Sequence, residues 1–271
     1  MENPRSILIT GGSSGIGEAL ALYYAAPGIQ LFINGRNAER LQGVAKKCQE
    51  KGADIETSEV SVTDRSAMAS WMEACNSKAP LDLVIANAGI SGGTAGTVMK
   101  HEPLDQVRTI FDTNIHGVVN TIEPILETMI AKDRGQIAII SSLAGFRGWP
   151  GAPAYCASKA AVRTYAEGLR GNLLDSNIHI NVVLPGFVES RMTDQNDFPM
   201  PFLVETDKAA QIIAKGLAKN KGRIAFPFPV HFFAWLVGAL PDFIAQHMLK
   251  PLPAKTPVLE ENDEGRNKEA A

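Results

Sequence analysis

The chain has 271 residues, of which 45% are hydrophobic and 20% are charged. This composition is typical of a globular protein, and the length suits one large domain with a substantial core. The formal net charge of −3 gives no support to nucleic acid or an anionic membrane surface as a partner, so we expect no nucleic-acid binding.

Cysteine content argues against a disulfide framework and against a zinc site. Cys48, Cys75 and Cys156 are too few and too scattered for either. We therefore expect reduced core thiols, no bound metal and a cytoplasmic location. The first strand is predicted to begin almost at the N-terminus, which leaves no room for a secretory signal before it.

Strand-length apolar runs alternate with helical patterns along most of the chain. The predicted strands comprise residues 6–10, 30–34, 55–60, 83–86, 136–141, 179–184 and 223–226. The predicted helices comprise residues 15–26, 38–51, 65–77, 104–131, 157–174 and 207–219. Several strands are apolar throughout, which is typical of strands covered on both faces. The pattern predicts an α/β fold with a doubly wound parallel sheet of about seven strands, whose ligand binds at the carboxyl ends.

The sequence contains no internal repeat and no linker. Residues 1–253 are therefore predicted to form a single domain. From residue 254 to residue 271 the chain becomes polar and acidic, and this composition predicts a disordered tail.

An uncharged, apolar run precedes that tail. Residues 224–241 contain three prolines, which leave about a dozen residues for a helix, short of the ~20 that span a bilayer. Three interpretations of residues 224–250 remain open: a substrate lid, a contact between subunits, or a helix in peripheral contact with a membrane interface.

A glycine-rich turn, TGGSSGIG, occupies residues 10–17 between the first predicted strand and the first predicted helix. Glycines at a strand-to-helix turn let the backbone approach a pyrophosphate closely. The N-terminus of the following helix supplies N–H groups and the positive end of its dipole. Because of this placement, the turn predicts nucleotide binding.

The end of the second predicted strand indicates which dinucleotide binds. A carboxylate there would accept hydrogen bonds from the ribose hydroxyls and repel a 2′-phosphate. This chain has Gly35 and Arg36 instead, and the guanidinium fork is suited to phosphate. Ser13 and Ser14 offer further hydroxyl donors. A solvated loop arginine is the alternative; the missing carboxylate and the cation together favour NADP(H) over NAD(H).

Tyr155 and Lys159 stand four residues apart in a helical pattern of small residues, so they share one face. A phenol titrates near pH ~10, a poor match for proton transfer in neutral solution. A nearby ammonium is expected to stabilise the phenolate and lower the pKa of Tyr155. Taken alone, such a pair is usually a solvated helix face; in this context it predicts a general acid and base.

The motifs together resemble the short-chain dehydrogenase/reductase family in its single-domain form, over residues 5–222. The resemblance implies a Rossmann-type fold. Ser142 lies thirteen residues before Tyr155, the family's usual spacing, which selects it over Ser141. The motifs that carry the resemblance are TGGSSGIG at 10–17, ANAG at 86–89, DTNIHG around Asn114, IISSLAG around Ser142, YCASK at 155–159 and PGFVES at 185–190.

The resemblance also implies roles for four catalytic residues. Tyr155 would exchange a proton with the substrate oxygen, and Lys159 would lower the phenol pKa and bind the nicotinamide ribose. Ser142 would donate a hydrogen bond to the carbonyl oxygen, and Asn114 would hold a water that links Lys159 to solvent. The implied reaction is hydride transfer between nicotinamide and a carbonyl or secondary alcohol.

The cofactor-binding residues are inferred partly from the glycine-rich turn and partly from the resemblance. Two positions depart from the family's pattern: Ser61 stands where many relatives carry an aspartate for the adenine, and Ser190 replaces a threonine. The expected set is Gly11, Ser13, Ser14, Gly15, Ile16, Gly17, Arg36, Ser61, Val62, Asn87, Ala88, Gly89, Tyr155, Lys159, Pro185, Gly186, Val188 and Ser190.

Segments 90–96, 146–154 and 191–202 follow strands and are expected on the substrate side. Their apolar residues suggest an apolar or lipid-like ketone or aldehyde, although any single one is more often a core residue. Arg147 would meet an acidic group or be solvated. The apolar residues are Phe146, Trp149, Met192, Phe198, Met200 and Phe202.

Three further hypotheses concern class and assembly. A non-catalytic NADP(H) sensor of the same fold would usually lack the tyrosine or the lysine, and both are present here. A two-domain epimerase or dehydratase would typically need a longer chain and a different glycine spacing. Family members commonly pair through the helices corresponding to 104–131 and 157–174, which implies a homodimer or homotetramer.

Overall fold

In the computed structural model of the chain, residues 3–95 and 101–257 are described. They contain a seven-stranded parallel sheet with the order β3-β2-β1-β4-β5-β6-β7. The strands are β1 (Ser6–Ile9), β2 (Gln30–Asn34), β3 (Asp54–Ser58), β4 (Leu83–Ala86), β5 (Gly135–Ile140), β6 (Ile178–Pro185) and β7 (Arg223–Phe226). The predicted doubly wound sheet of about seven strands is confirmed.

The apolar sequences of the central strands follow from their position. All residues of β1, β4 and β5 are buried, because helices cover both faces of the sheet. Helices α1, α2 and α7 enclose one core, and α3, α5 and α6 enclose the other. The helices are α1 (Gly15–Tyr24), α2 (Ala38–Glu50), α3 (Arg65–Lys78), α4 (Leu104–Phe111), α5 (Gly117–Ala131), α6 (Pro153–Asn172), α7 (Thr206–Ala218), α8 (Phe228–Ala239) and α9 (Asp242–Leu249).

Two helices differ from the sequence-based prediction in ways that affect the site. The predicted helix 104–131 is interrupted by a π-helical turn, Asp112–His116, between α4 and α5. Helix α6 begins at Pro153, four residues before the predicted start, because proline is favoured in the first turn of a helix. Tyr155 therefore lies in the first turn of α6.

The strand order reverses between β1 and β4, which are neighbours in the sheet. At such a switch point the loops that follow the two strands diverge and leave a crevice at their carboxyl ends. The glycine-rich turn follows β1, and the ANAG segment follows β4. The fold thus places both motifs at one edge of the sheet.

The C-terminal part of the described chain folds back over that edge. The apolar run 224–241 divides between β7 and α8. Within residues 3–95 and 101–257, no helix combines the length and the apolar character needed to cross a bilayer.

Residues 253–257, here called the C-terminal strap, lie against two loops. The backbone N–H of Lys255 donates to the Gly151 carbonyl at 3.1 Å, and Ala95 N–H donates to the Lys255 carbonyl at 2.9 Å. Composition had assigned residues 254–257 to the tail, but the strap packs on the domain, and Lys255 is 7% exposed. The rest of the predicted tail, residues 258–271, lies outside the described residues.

Candidate active site

A cleft of about 1460 Å³ opens at the carboxyl ends of the strands. This volume exceeds the ~300–1,000 Å³ of a typical small-molecule pocket. Of the twenty predicted site residues, all line the cleft except Gly17 and Asn114, which lie directly behind its wall. The structure therefore brings residues that follow six different strands into one cavity.

The glycine-rich turn takes a backbone shape that requires glycine. Gly11 and Gly15 have φ values of +65° and +56°, a region that side-chain-bearing residues rarely adopt. A Cβ on Gly11 would lie 2.8 Å from Cα of Ala88, and one on Gly17 would meet the Gly11 carbonyl oxygen. The turn can therefore pack against the loop after β4 only without side chains at these positions.

Side chains from β2 and the β4 loop hold this turn in place. The Asn34 side chain accepts a hydrogen bond from Gly11 N–H at 3.0 Å. The Asn87 amide donates to the carbonyls of Thr10 and Gly11 at 2.9 and 3.1 Å. Asn87 was predicted at this site, and Thr10 begins the glycine-rich motif but was not named as a site residue. Asn34 was not predicted, because it does not stand out within its strand.

At one end of the cleft the lining is cationic and rich in hydroxyl groups. Ser13, Ser14 and Arg36 lie there as predicted, together with Arg40 from the first turn of α2. Sequence analysis did not identify Arg40, although it stands four residues after Arg36. A Cβ on Gly35 would lie 2.8 Å from the Ser13 hydroxyl, so the glycine gives this hydroxyl its space.

Ser61 and Val62 line the same end of the cleft. The Ser61 hydroxyl lies 2.8 Å from that of Thr63, and the Val62 carbonyl accepts from the Asn120 amide at 2.9 Å. The departure at Ser61 therefore leaves a hydroxyl in the wall, while the Val62 backbone is fixed from behind.

Tyr155 is 8% exposed and lines the cleft beside Ser142. Burial raises the pKa of Tyr155 to about 12, and a hydrogen bond with the Ser142 hydroxyl offsets only part of that increase. The net shift of the Tyr155 pKa is therefore upward, opposite to the lowering expected from Lys159, because desolvation dominates. The phenol is consequently protonated in neutral solution.

Lys159 is also buried, with 5% of its surface exposed. Its ammonium lies 5.8 Å from the centre of the Tyr155 ring and donates to the Ile140 carbonyl at 3.0 Å. Burial, and secondly the charge of Lys255, lower the pKa of Lys159 to about 8. The lysine is thus held by the end of β5, and it loses its proton at a lower pH than an exposed lysine does.

The two adjacent serines after β5 have different positions. The Ser141 hydroxyl donates to the Lys159 carbonyl at 2.7 Å, which fixes α6 against the strand. The Ser142 hydroxyl accepts from Ala144 N–H at 3.1 Å and contacts Tyr155. Ser142, which the spacing selects, is therefore the one beside the phenol.

Asn114 lies in the π-helical turn and is fully buried. Its amide nitrogen donates to the Ile90 carbonyl and the Ser158 hydroxyl at 2.9 and 3.0 Å, and its oxygen accepts from Ile90 N–H. A Cβ on Gly89 would lie 3.2 Å from the Asn114 oxygen and 3.3 Å from the Lys159 ammonium. Gly89 therefore leaves open the space between these two groups.

The loop after β6 supplies another part of the wall. Pro185, Gly186, Val188 and Ser190 line the cleft as predicted. Thr193, which sequence analysis missed, accepts from Ser190 N–H at 2.8 Å and donates to the Val188 carbonyl at 2.9 Å. Its hydroxyl thus ties the loop into a fixed shape.

The substrate side of the cleft is largely apolar. Of the six apolar residues expected there, Phe146, Trp149, Met192 and Phe198 line it, whereas Met200 and Phe202 do not. Phe202 is instead 60% exposed. Residues of the apolar C-terminal segment, for which a substrate lid was one interpretation, also line the cleft: Val230, Phe233, Ala234, Val237 and Leu249. Phe187 of the β6 loop lines it as well and was not predicted.

Two basic residues on this side differ in their surroundings. Arg147 pairs with Asp242 of α9 at 2.5 Å. Lys255, from the C-terminal strap, lies 4.4 Å from the centre of the Tyr155 ring and donates to the Ser91 hydroxyl at 2.7 Å. No local pattern marks Lys255, because its burial results from loops distant in sequence.

These residues fit a nicotinamide dinucleotide. The bare glycine backbone, the hydroxyl and guanidinium groups near α2, and the volume of the cleft match a long, phosphate-containing ligand. Gly11, Ser13, Ser14, Gly15 and Arg36 would hold its adenosine and phosphate half.

Replacing Lys159 by methionine is expected to stabilise the protein in neutral solution. Because burial lowers the pKa of Lys159, its proton opposes folding below about pH 8, and this penalty fades as the pH rises towards 10.5. We expect Lys159→Met to raise the free energy of unfolding by on the order of 1 kcal/mol near neutral pH and by less near pH ~9.5.

Urea unfolding at the two pH values measures this difference. Lys46→Met on the exposed face of α2 is the control and should show no such pH dependence. Equal destabilisation by Lys159→Met at both pH values would contradict the interpretation.

Comparisons with known proteins point to one family. The family model described as short chain dehydrogenase matches residues 5–199. An uncharacterized oxidoreductase of Myxococcus xanthus is 39% identical over 239 residues, covering 88% of this chain and 93% of its own. A 3-oxoacyl-(acyl-carrier-protein) reductase FabG of Thermotoga maritima is 34% identical over 193 residues, covering 69% and 76%.

The fold has a close counterpart among solved structures. A short-chain dehydrogenase from Sphingobium yanoikuyae in complex with NADPH superposes with a TM-score of 0.75 at 23% identity, covering 92% of this chain and 96% of that one. The predicted resemblance is confirmed. The chain belongs to the short-chain dehydrogenase/reductase family and is an NAD(P)-dependent oxidoreductase.

Proposed function

We propose that this enzyme uses NADPH to reduce the carbonyl group of a ketone or aldehyde with an apolar body. The observation that carries the proposal is the buried, protonated Tyr155 phenol beside the Ser142 hydroxyl, in the wall of a cleft that also contains the glycine-rich turn. This arrangement joins a proton donor to a dinucleotide site.

Four residues around the substrate oxygen have different roles in this proposal. When bound, the nicotinamide supplies the hydride. Ser142 donates a hydrogen bond to the carbonyl oxygen as negative charge develops there. Tyr155 delivers the proton from its phenol oxygen, and Lys159 stabilises the phenolate that remains. Asn114 fixes the backbone of Ile90 and, through Ser158, the first turn of α6.

The state of Tyr155 supports reduction as the working direction. Burial raises the pKa of Tyr155 and so favours its protonated form, which is the acid that carbonyl reduction needs. Oxidation of an alcohol would need the phenolate, which burial disfavours in this structure.

The cationic end of the cleft supports NADP(H) over NAD(H). Arg36 and Arg40 line it, and among the described lining residues of the cleft there is no aspartate or glutamate. A carboxylate that would repel a 2′-phosphate is thus missing where two guanidinium groups are present. The Sphingobium yanoikuyae relative is described in complex with NADPH, which agrees with this preference.

The apolar substrate wall supports a hydrophobic carbonyl compound. Phe146, Trp149, Phe198 and the inner face of α8 together enclose the space beside Tyr155. The name of the FabG relative includes a 3-oxoacyl group, which is a ketone. A non-catalytic sensor remains the alternative function, and it would not need Tyr155, Ser142 and Lys159 arranged around one space.

Tyr155→Phe is expected to lower turnover by about 10²–10⁴-fold, because the proton donor is lost while the ring remains. NADPH affinity should change little. Turnover is measured as NADPH oxidation with a panel of apolar ketones and aldehydes. NADPH affinity is measured by fluorescence titration. Tyr23→Phe on the exposed part of α1 is the matched control. Unchanged turnover in Tyr155→Phe would favour a different acid or the sensor hypothesis.

Arg36→Ala is expected to raise the KM for NADPH by about tenfold or more, since one charge-assisted contact to phosphate is lost. The KM for NADH should change by less than about threefold, because NADH has no 2′-phosphate for Arg36 to contact. Arg5→Ala, at the opposite edge of the sheet, serves as control. An equal increase in KM for NADPH and for NADH would argue against a contact between Arg36 and the 2′-phosphate.

We also propose that the protein is a homodimer or homotetramer that pairs through α6. Its exposed face carries small residues at helical spacing, which allows two helices to approach closely. Cβ atoms added at Gly168 and Gly171 would meet nothing within 4 Å. The residues of this face are Ala157, Ala161, Thr164, Gly168 and Gly171.

Gly168→Arg is expected to convert the oligomer to monomers, because a long cation would stand where the partner helix packs. Light scattering at micromolar concentration measures the mass of both proteins. A monomeric mass for the unaltered protein would refute the assembly.

The outer face of α8 and α9 stays open to two of the earlier interpretations. Phe228 is 75% exposed and Phe243 70%, while the inner face of α8 lines the cleft. The inner face fits the lid interpretation. A subunit contact and peripheral contact with a membrane interface both remain predictions for the outer face.

A further inference from the structure

Lys255 is a buried cation that the proposed mechanism does not use. It is 7% exposed, and burial lowers its pKa to about 8. Its ammonium has three N–H donors, and the described residues supply one acceptor, the Ser91 hydroxyl at 2.7 Å. No carboxylate among the described residues pairs with it. A buried charge without a counterion is costly, so its retention calls for an explanation.

The position of Lys255 is built into the fold by two glycines. A Cβ on Gly151 would lie 2.6 Å from Cα of Ala254, and one on Gly93 would lie 2.6 Å from the Lys255 carbonyl oxygen. With side chains at these positions the C-terminal strap could not lie so close to the two loops. The backbone hydrogen bonds of Lys255 to Gly151 and Ala95 then fix where its side chain starts.

The side chain of Lys255 extends into the substrate side of the cleft. Its ammonium lies 4.4 Å from the centre of the Tyr155 ring and 5.9 Å from that of Trp149. The indole N–H of Trp149 is buried and has no hydrogen-bond acceptor among the described residues. Lys255 therefore places a buried ammonium beside the proposed proton donor, and the described residues supply an acceptor for one of its three N–H groups.

The charge of the whole cleft also favours an anionic ligand. Its described lining residues include no aspartate or glutamate, and the charge of Lys255 lowers the pKa of Lys159 nearby. An anion between or beside these ammonium groups would relieve their repulsion. The basic lining residues are Arg36, Arg40, Arg147, Lys159, Arg191 and Lys255.

The cofactor phosphates are not placed to supply that anion. The glycine-rich turn that would hold them follows β1, whereas Lys255 contacts the loops that follow β4 and β5. Arg147 is already paired with Asp242. Since no carboxylate of the described residues pairs with Lys255, we take the substrate as the source of the anion.

We propose that Lys255 binds a carboxylate of the substrate, close to the carbonyl that Tyr155 protonates, so that the substrate is an oxo acid with an apolar body. This inference rests on the proposed function and narrows its substrate class. Lys255 acts as a specificity-determining residue.

Matched pairs of substrates test the proposal. The probes are 4-phenyl-2-oxobutanoate, 4-phenyl-4-oxobutanoate and their ethyl esters, each with NADPH. We expect the unaltered enzyme to prefer at least one acid over its ester by about tenfold or more in kcat/KM, the size of one charged hydrogen bond. In Lys255→Met this ratio should fall by about tenfold, mainly through the KM of the acid.

Two further variants separate charge from packing. Lys255→Arg keeps the cation and should retain most of the preference for the acid, whereas Lys250→Met, an exposed substitution at the end of α9, should leave it intact. Equal losses for acid and ester in Lys255→Met would mean that the lysine only anchors the strap, and would overturn the proposal. So would a preference of the unaltered enzyme for every ester.

A binding measurement keeps this test independent of turnover. Calorimetric titration of 4-phenylbutanoate, which has no carbonyl to reduce, into the enzyme with NADP⁺ should show saturable binding that Lys255→Met weakens about tenfold. Binding that the variant does not weaken would overturn the carboxylate site. Reduction of none of the carbonyl compounds would instead count against the proposed function, while this titration still reports on Lys255.

Discussion

Burial at the carboxyl edge of the sheet is the constraint on which the rest of the site depends. Parallel strands covered on both faces leave that edge as the place where polar side chains can meet a ligand. Tyr155, Lys159 and Lys255 all lie there with little exposure. Desolvation therefore favours the neutral form of each group. It raises the pKa of the phenol and lowers the pKa of the two ammonium groups.

That constraint explains why the simple electrostatic expectation for Tyr155 is wrong. A lysine one turn away suggests an acidified phenol, but the Lys159 ammonium donates to the Ile140 carbonyl, and burial outweighs the hydrogen bond from Ser142. The outcome is a phenol held in its neutral form next to a lysine whose pKa is lowered to about 8. The spacing in the sequence predicts the Tyr155–Lys159 pair. The direction in which the Tyr155 pKa shifts depends on burial in the folded state and could not be predicted from the spacing.

Much of the fold and the site could be predicted from local pattern. Buried strands, a glycine-rich turn after β1 and the Tyr155–Lys159 spacing depend on residues close together in sequence. The features that escaped prediction depend on contacts between distant segments. Asn34 acts on the turn after β1, and the break at Asp112–His116 places Asn114 against the β4 loop. Lys255 is buried only because the strap meets two loops more than a hundred residues before it.

The matched family model ends at residue 199, whereas α8, α9 and the C-terminal strap follow it. The residues proposed for hydride transfer and dinucleotide binding thus lie in the first three quarters of the chain, and part of the proposed substrate wall lies after them. Because α8 and the strap contribute to the cleft wall without contacting the glycine-rich turn, substitutions there can reshape the substrate side while leaving the dinucleotide side unchanged.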